Sequence, residues 1–193
     1  MNEDQFIEYF ENLATQSRDI NHDQEKKKSF FYIEDAFTLD EFDEALRNAA
    51  QTPVMILVAD DGSFTDNNSA NYTQEVEGEI LILARIQPKK NIRQIRAMCL
   101  PIVLSLLARM KLDSSKNKIL PDPKKKVFFR IEDIPYRKIG PMNLEWYGYA
   151  FNFKFICPFG FSVTSGSWRD IDAVVVPVTI DGSLPSEIPM TLS

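Results

Sequence analysis

The stretch 79–112, EILILARIQPKKNIRQIRAMCLPIVLSLLARMKL, decides the predicted fold of this chain. Its first eight residues are mostly apolar and of strand length, which is typical of a strand covered on both faces. Residues 87–90, QPKK, break that pattern, and Asn91 has the side chain of a helix cap. From Ile92 onward apolar residues recur at helical spacing. We therefore predict a strand that leads into a long helix packed across a sheet.

Pro101 falls inside the predicted helix. It removes one backbone donor and clashes with the preceding turn, so we expect a kink there. The apolar run 97–108 is much shorter than the roughly 20 residues that a bilayer-spanning helix needs. The pattern therefore indicates a core helix and no membrane segment.

Two shorter helices are predicted nearer the N-terminus. Phe6, Phe10 and Leu13 recur at helical spacing above an acidic opposite face. Residues 17–28 carry almost no apolar side chains, so we expect an exposed linker, and it contains the lone His22. Thr38-Leu39-Asp40-Glu41 has the form of a capping box that opens the second helix. The acidic cluster formed with Asp43 and Glu44 is expected to be a solvated face, and a metal site only if other carboxylates converge on it.

Several further segments have strand patterns. Residues 29–33, 54–59 and 127–131 are short runs rich in apolar or aromatic residues, and 143–157 alternates with the period of a half-buried antiparallel strand. Gly140-Pro141 is predicted to be a turn and 174–180 a last strand. An aromatic stripe on 143–157 fits core packing better than base stacking, because few basic residues lie between its aromatics.

These patterns predict one α+β domain over residues 1–180. It would hold a mostly antiparallel mixed sheet, one long kinked helix packed across it, and two shorter N-terminal helices. Residues 1–28 form the N-terminal helix and linker, and 181–193, rich in Pro and Ser, are expected to be an extended tail.

A short internal echo links two of the strands. Residues 26–35, KKKSFFYIED, match 124–133, KKKVFFRIED, at eight of ten positions, but the flanking sequences diverge at once. A repeat architecture needs a period sustained over several units. We interpret the echo as two similar strand entries, neighbours in one sheet, with duplication as the alternative.

Composition excludes several classes of function. The 193 residues are 44% hydrophobic with a net charge of −6, which favours a soluble globular domain and argues against a nucleic-acid-binding one. Cys99 and Cys157 lie in helix and strand patterns, so we expect buried thiols and a reducing compartment. The acidic N-terminus has no secretory signal pattern.

No catalytic or cofactor motif is visible. There is no glycine-rich phosphate loop, no Cys or His pair at metal spacing and no nucleophile elbow. A single histidine, predicted to be exposed, argues against Ser-His-Asp and Cys-His mechanisms. The polar segment 60–74 lacks the ligand spacing of a calcium loop, so we expect an interaction or assembly loop. A carboxylate-dependent enzyme stays open, since Asp and Glu are abundant.

The order of elements over about 30–155 resembles the tail terminator or tail completion (head-tail joining) proteins of long-tailed bacteriophages. In that family an apolar strand ending in a loop pairs with a second strand, which leads into a helix packed across the sheet. Residues 52–57, TPVMIL, and 79–86, EILILARI, would be those two strands. The chain is longer than typical members, and its linkers and C-terminal arm differ from theirs.

The resemblance implies a virion structural protein without catalysis, cofactor or metal. It implies a ring, commonly a hexamer, that ends tail-tube growth and contacts tail-tube or head-connector proteins, without direct nucleic-acid readout or a membrane. The protein would be cytoplasmic during assembly and then part of the virion. Within a ring, the polar loop and the C-terminal arm supply the candidate subunit contacts: Phe64, Asp66, Asn67, Tyr72, Glu75, Glu77, Leu184 and Ile188.

Two alternatives remain at the level of sequence. One is a cytoplasmic protein-interaction domain of unrelated role. The other is a carboxylate- or metal-dependent enzyme, which would require at least three carboxylates to converge in a cleft.

Overall fold

The computed structural model describes residues 1–34, 39–49, 52–59, 62–66, 72–122, 126–131 and 134–159. Within these residues the chain forms three helices and one seven-stranded sheet. In chain order the elements are α1 (Glu3–Gln16), β1 (Phe30–Ile33), α2 (Leu39–Asn48), β2 (Val54–Ala59), β3 (Ser63–Asp66), β4 (Tyr72–Arg85), α3 (Ile92–Ser115), β5 (Phe128–Phe129), β6 (Tyr136–Met142) and β7 (Trp146–Pro158).

The sheet is mixed and mostly antiparallel. Its main path is β1-β2-β4-β7-β5, with β3 paired to the start of β4 and β6 paired to β7. Only β1 and β2 run parallel among the described pairs. The prediction of an α+β domain with one long and two shorter helices is therefore confirmed.

β4 and β7 form the longest pairing in the sheet. They stay in register from Thr73↔Pro158 to Arg85↔Trp146. Gly148 of β7 lies so close to β4 that an added Cβ would be 1.8 Å from the carbonyl oxygen of Ile82. Any larger residue at this position would force the two backbones apart.

Both faces of the sheet are covered, although unequally. On one face α1 and α3 pack over the predicted aromatic stripe of β7, and the ring centroids of Phe10 and Phe153 lie 4.9 Å apart. On the other face α2 covers β1, β2 and the C-terminal half of β4. Beyond α2 that second face is polar, because Asn152 and Lys154 of β7 are exposed. β7 is thus buried on both sides at its start and half-buried at its end.

α3 begins as predicted. Asn91 and Gln94 form a reciprocal capping box, in which each side chain accepts a hydrogen bond from the other residue's backbone N–H. Pro101 lies inside the helix, and the kink there stays a prediction. Cys99 of α3 and Cys157 of β7 are buried free thiols, as predicted. Burial raises the pKa of Cys99 to about 12 and that of Cys157 in the same direction.

The polar segment 60–74 is not simply a loop. Residues 63–66 form β3, which pairs antiparallel with 72–75 of β4 in a hairpin. Phe64 and Thr65 are good strand formers, but the Asp, Asn and Ser residues around them favour turns, and the backbone pairing with β4 makes 63–66 a strand. Asp60 and Asp61, which were weighed as calcium ligands, lie outside the described residues.

Two other predicted connections were wrong. Gly140-Pro141 lies within β6, and the turn into β7 is formed by 143–145. The segment 113–126, whose Ser, Pro and Lys residues predict a second linker, begins with the last residues of α3, and it buries Ile119 and Leu120 in the main core. Isolated apolar residues in a polar segment were too weak a signal to predict that burial.

The two echo segments are not neighbours. β1 and β5 lie at opposite edges of the sheet, and β5 spans only two of the five residues predicted. Phe30 faces the α1 and α3 core, whereas the corresponding Phe128 is on the opposite face and half exposed. Thr38 of the capping box, the predicted strand 174–180 and the tail 181–193 lie outside the described residues.

The β4–β7 pairing can be tested with two glycines of the same strand pair. Gly148→Ala should lower the free energy of unfolding by about 3 kcal/mol or more, because the new methyl group meets backbone. Gly78→Ala should cost about 1–2 kcal/mol, because its nearest atoms are the movable rings of Phe153 and Phe6. Urea denaturation measures both losses, and equal losses would contradict the assigned register.

Candidate functional site

The β3–β4 hairpin brings several of the predicted contact residues together. Phe64 is 71% exposed, and its ring centroid lies 5.0 Å from that of Phe159. The Tyr72 ring is 6.0 Å from the same Phe159, whose backbone N–H donates to the Tyr72 carbonyl oxygen. Asp66 is exposed and paired in register with Tyr72. The three rings define an aromatic hairpin patch.

Other predicted contacts are placed differently. Glu75 and Glu77 point to the opposite face of β4 from Tyr72, since side chains alternate along a strand. Lys154 Nζ lies 2.7 Å from Glu75 Oε2 and 2.6 Å from Glu77 Oε1, and these hydrogen bonds raise the Lys154 pKa. The two glutamates, predicted to be exposed, are half-buried and already paired within the chain.

Asn67, Leu184 and Ile188 lie outside the described residues. Phe159 is not among the predicted contacts, because the sequence 158–160, PFG, indicates only the end of the strand 143–157. Its ring contacts depend on the hairpin, which no local pattern predicted.

The solvent side of α3 is a second surface that the sequence pattern did not single out. Its inner side is buried through Ile95, Cys99 and Leu106. Its exposed residues between 97 and 112 are Ala97, Met98, Pro101, Leu104, Ser105, Ala108, Lys111 and Leu112, which we call the outer face of α3. Only Lys111 is charged, and its Nζ donates to the Phe129 carbonyl oxygen.

The outer face of α3 is unusual for a helix at a protein surface. Leu104 is 58% exposed and Leu112 is 45% exposed, and nothing among the described residues covers them. Surface helices normally carry charged residues on the side away from the core, whereas helices that are apolar all round are covered on both sides. The helical spacing of the buried residues of α3 is visible in the sequence. The sequence does not show which of its other apolar residues are exposed at the surface.

A buried polar cluster joins α1 to α3 beside a groove of about 510 Å³. Asp113 is 3% exposed and accepts hydrogen bonds from Tyr9 Oη at 3.3 Å and from Arg109 Nε at 2.9 Å. Arg109 also donates to Gln16 Oε1 at 2.9 Å. Burial, with Asp113 beside it, raises the pKa of Tyr9 well above its ordinary range.

The contacts of Asp113 are those of a cross-link between helices. Its carboxylate is held by an arginine and a tyrosine of the same chain, as buried charges require. Among the residues that the structure describes, Glu8 is the only other carboxylate lining this groove, and it is exposed. Across the described ranges no three His, Cys, Asp or Glu side chains are grouped so as to hold a metal ion.

His22 is buried, which corrects the prediction of an exposed linker. It is 4% exposed, and Nδ1 accepts hydrogen bonds from the backbone N–H of Ser29 at 3.1 Å and of Phe30 at 3.2 Å. Nε2 lies 3.4 Å from Glu11 Oε1. Because Nδ1 accepts twice, the neutral ring carries its proton on Nε2. The Nδ1 lone pair therefore accepts the hydrogen bonds that hold the segment 17–28 against the start of β1.

None of the described helices combines the length and apolar character needed to cross a bilayer. A scan against protein-family models finds no matching family, and a search of the curated proteins finds no match.

The role of His22 can be tested by two substitutions. His22→Ala leaves two buried backbone donors without an acceptor, so it should lower the free energy of unfolding by about 2–4 kcal/mol. His22→Asn offers an acceptor oxygen near the position of Nδ1 and should recover part of that loss. Urea denaturation measures both, and an alanine variant as stable as wild type would remove His22 from this role.

The Tyr9–Asp113 contact predicts a specific alkaline instability. The pKa of Tyr9 is raised on folding, so its contribution to stability is complete below the unfolded pKa of about 10. Above that pH the unfolded chain loses a proton that the folded chain keeps, and stability should fall by about 1.4 kcal/mol per pH unit from this group.

Tyr9→Phe should reduce the slope of unfolding free energy against pH by that amount above pH ~10. Ile95→Val, a mild destabilisation of the same core, keeps the tyrosine and should retain the wild-type slope. Urea titrations across this pH range provide the comparison, and identical slopes for Tyr9→Phe and wild type would contradict the assignment.

Proposed function

We propose that this protein is a non-enzymatic structural subunit of a phage or prophage tail. Copies of the chain assemble into a ring at the tail end or the head–tail junction, where the ring contacts tail-tube or head-connector proteins. The outer face of α3 carries the proposal, because a long exposed helix face with one charged residue, Lys111, is a surface suited to cover by a neighbouring protein chain.

The self-association is driven by removal of that face from water. Leu104, Leu112 and Met98 are exposed along one side of the helix, with small residues between them that allow a second chain to approach closely. Burying one leucine side chain contributes about 1.5–3 kcal/mol, so a contact repeated at every subunit stabilises a closed assembly strongly.

The tail location is supported by the order and pairing of the elements. β2 pairs antiparallel with β4 from Val54↔Leu83 to Ala59↔Gly78, and β4 leads into α3, which contacts β4 and β7. This is the arrangement that the resemblance to tail terminator proteins implies. The net charge of −6 further favours protein partners over nucleic acid.

Leu104→Glu should weaken self-association by roughly tenfold or more, since it places a charge in the contact and removes a leucine that the contact would bury. Leu144→Glu is the matched control, because Leu144 is 85% exposed in the turn before β7 and lies off α3. Sedimentation equilibrium over a range of protein concentrations measures the association constant of each variant.

Wild-type protein that stays monomeric at the highest concentrations would contradict the ring. Equal association of both glutamate variants and wild type would show that the outer face of α3 is not the contact. An interaction domain of unrelated role would remain monomeric alone and would not bind tail-tube protein. Binding of the assembled ring to purified tail tube, observed by negative-stain electron microscopy, tests the proposed location.

A further inference from the structure

We propose that neighbouring copies join head to tail, with the β5 edge of one chain docking into the groove between β1 and α2 of the next. This inference rests on the proposed ring and adds to the outer face of α3 a second contact between neighbouring copies, made by two different surfaces of the chain. It is carried by opposite charges at opposite edges of the sheet.

The β5 edge is basic and partly apolar. Lys126 and Arg130 flank β5 and are exposed, and no described carboxylate lies within ion-pair distance of either. Phe128 is 48% exposed and Ile131 is 46% exposed between and beside them. A groove of about 790 Å³ runs along this edge and is lined by Lys126, Phe128 and Arg130. Within the described part of the chain, the edge therefore offers two cations without an ion-pair partner beside an exposed aromatic ring.

Side chains of α3 form hydrogen bonds with the backbone of this edge. Ser114 Oγ donates to the Val127 carbonyl oxygen and accepts from the Phe129 N–H, and Lys111 Nζ donates to the Phe129 carbonyl oxygen. A strand added at this edge would need the same backbone groups for its own hydrogen bonds. Docking at β5 therefore proceeds through side chains, which makes its charge and shape decisive.

The groove between β1 and α2 has the complementary composition. Its volume is about 410 Å³, and its charged lining residues are Glu34, Glu41, Glu44 and one cation, Lys28, so the lining is net negative. Lys28 Nζ lies 5.1 Å from the ring centroid of Phe31. All three glutamates are exposed, and no described cation lies within ion-pair distance of them. Phe31 and Ala45 form an apolar floor beneath them. Two cations and an aromatic ring from β5 match acids around an apolar floor.

The two surfaces lie too far apart to be one patch. β1 and β5 are the opposite ends of the path β1-β2-β4-β7-β5, and four strand spacings of about 4.8 Å separate them by about 19 Å. Phe31 and Phe128 both face the α2 side of the sheet. Contact between different surfaces of identical chains is heterologous, and it closes into a ring when the rotation between copies allows.

Charge reversal on each surface provides the test. The groove variant carries Glu41→Lys and Glu44→Lys, and the edge variant carries Lys126→Glu and Arg130→Glu. All four residues are exposed, so the fold should be retained, which circular dichroism checks. Each variant alone should associate at least tenfold more weakly than wild type, because like charges now face each other.

Mixing the two variants should restore association. The unchanged edge of the groove variant meets the unchanged groove of the edge variant, and the two reversed surfaces also attract each other. A single chain with all four reversals should likewise self-associate. A twofold contact between identical surfaces predicts no such rescue, so failure of both the mixture and the fourfold variant would overturn the proposal.

A matched control reverses two exposed acids on another part of the molecule. Glu8→Lys with Asp19→Lys, on and just beyond α1, changes the net charge as the groove variant does and should leave association at the wild-type level. Wild-type association should also weaken as salt rises, since exposed charges are screened beyond about 8 Å at physiological ionic strength.

The outcomes separate this inference from the proposed function. Wild-type protein that is monomeric at every concentration removes the ring and with it this contact. Wild-type protein that assembles, with groove and edge variants assembling equally well, removes only the head-to-tail contact. Sedimentation velocity of each variant and of the mixture distinguishes these results.

Discussion

The long antiparallel pairing of β4 with β7 is the constraint on which the rest of the structure depends. β2 and β3 share one edge of β4, while β6 and β5 share the outer edge of β7, so every strand except β1 is attached directly to this pair. The close approach at Gly148 shows how tightly the two backbones are held. Because the register is set along the whole pair, it also sets which aromatic side chains face α1 and α3.

Several polar side chains that could take part in chemistry are paired with other side chains of the same chain. Lys154 lies opposite the start of β4 and pairs with Glu75 and Glu77, and α1 and α3 are joined through Asp113. Among the described residues, three exposed surfaces differ in character: the outer face of α3 is mostly apolar, the β5 edge is basic, and the groove between β1 and α2 is acidic. The proposed association between copies of the chain uses these surfaces.

The fold was largely predictable, and the candidate surfaces were predictable only in part. Strand and helix periods fix which residues face a core, so α1, α3, β2 and β7 could be located from residues such as Phe10, Ile95 and Phe153. The hairpin of β3 and the burial of His22 could not, because each depends on a turn that returns the chain onto a neighbouring strand, and neither turn has a distinctive sequence pattern. Residues 63–66 pair with 72–75 of β4, and His22 accepts from the backbone at the start of β1.

The sequence by itself determined the class of this protein: an acidic chain with buried thiols, three helices, and strands whose alternation commits them to a mostly antiparallel sheet. Those properties follow from local periodicity and composition. The tertiary structure decided which polar groups are satisfied, which helix face stays uncovered, and that the two similar KKK-x-FF segments lie at opposite edges of the sheet. Pairing and burial are relations between distant residues, so no local pattern carries them.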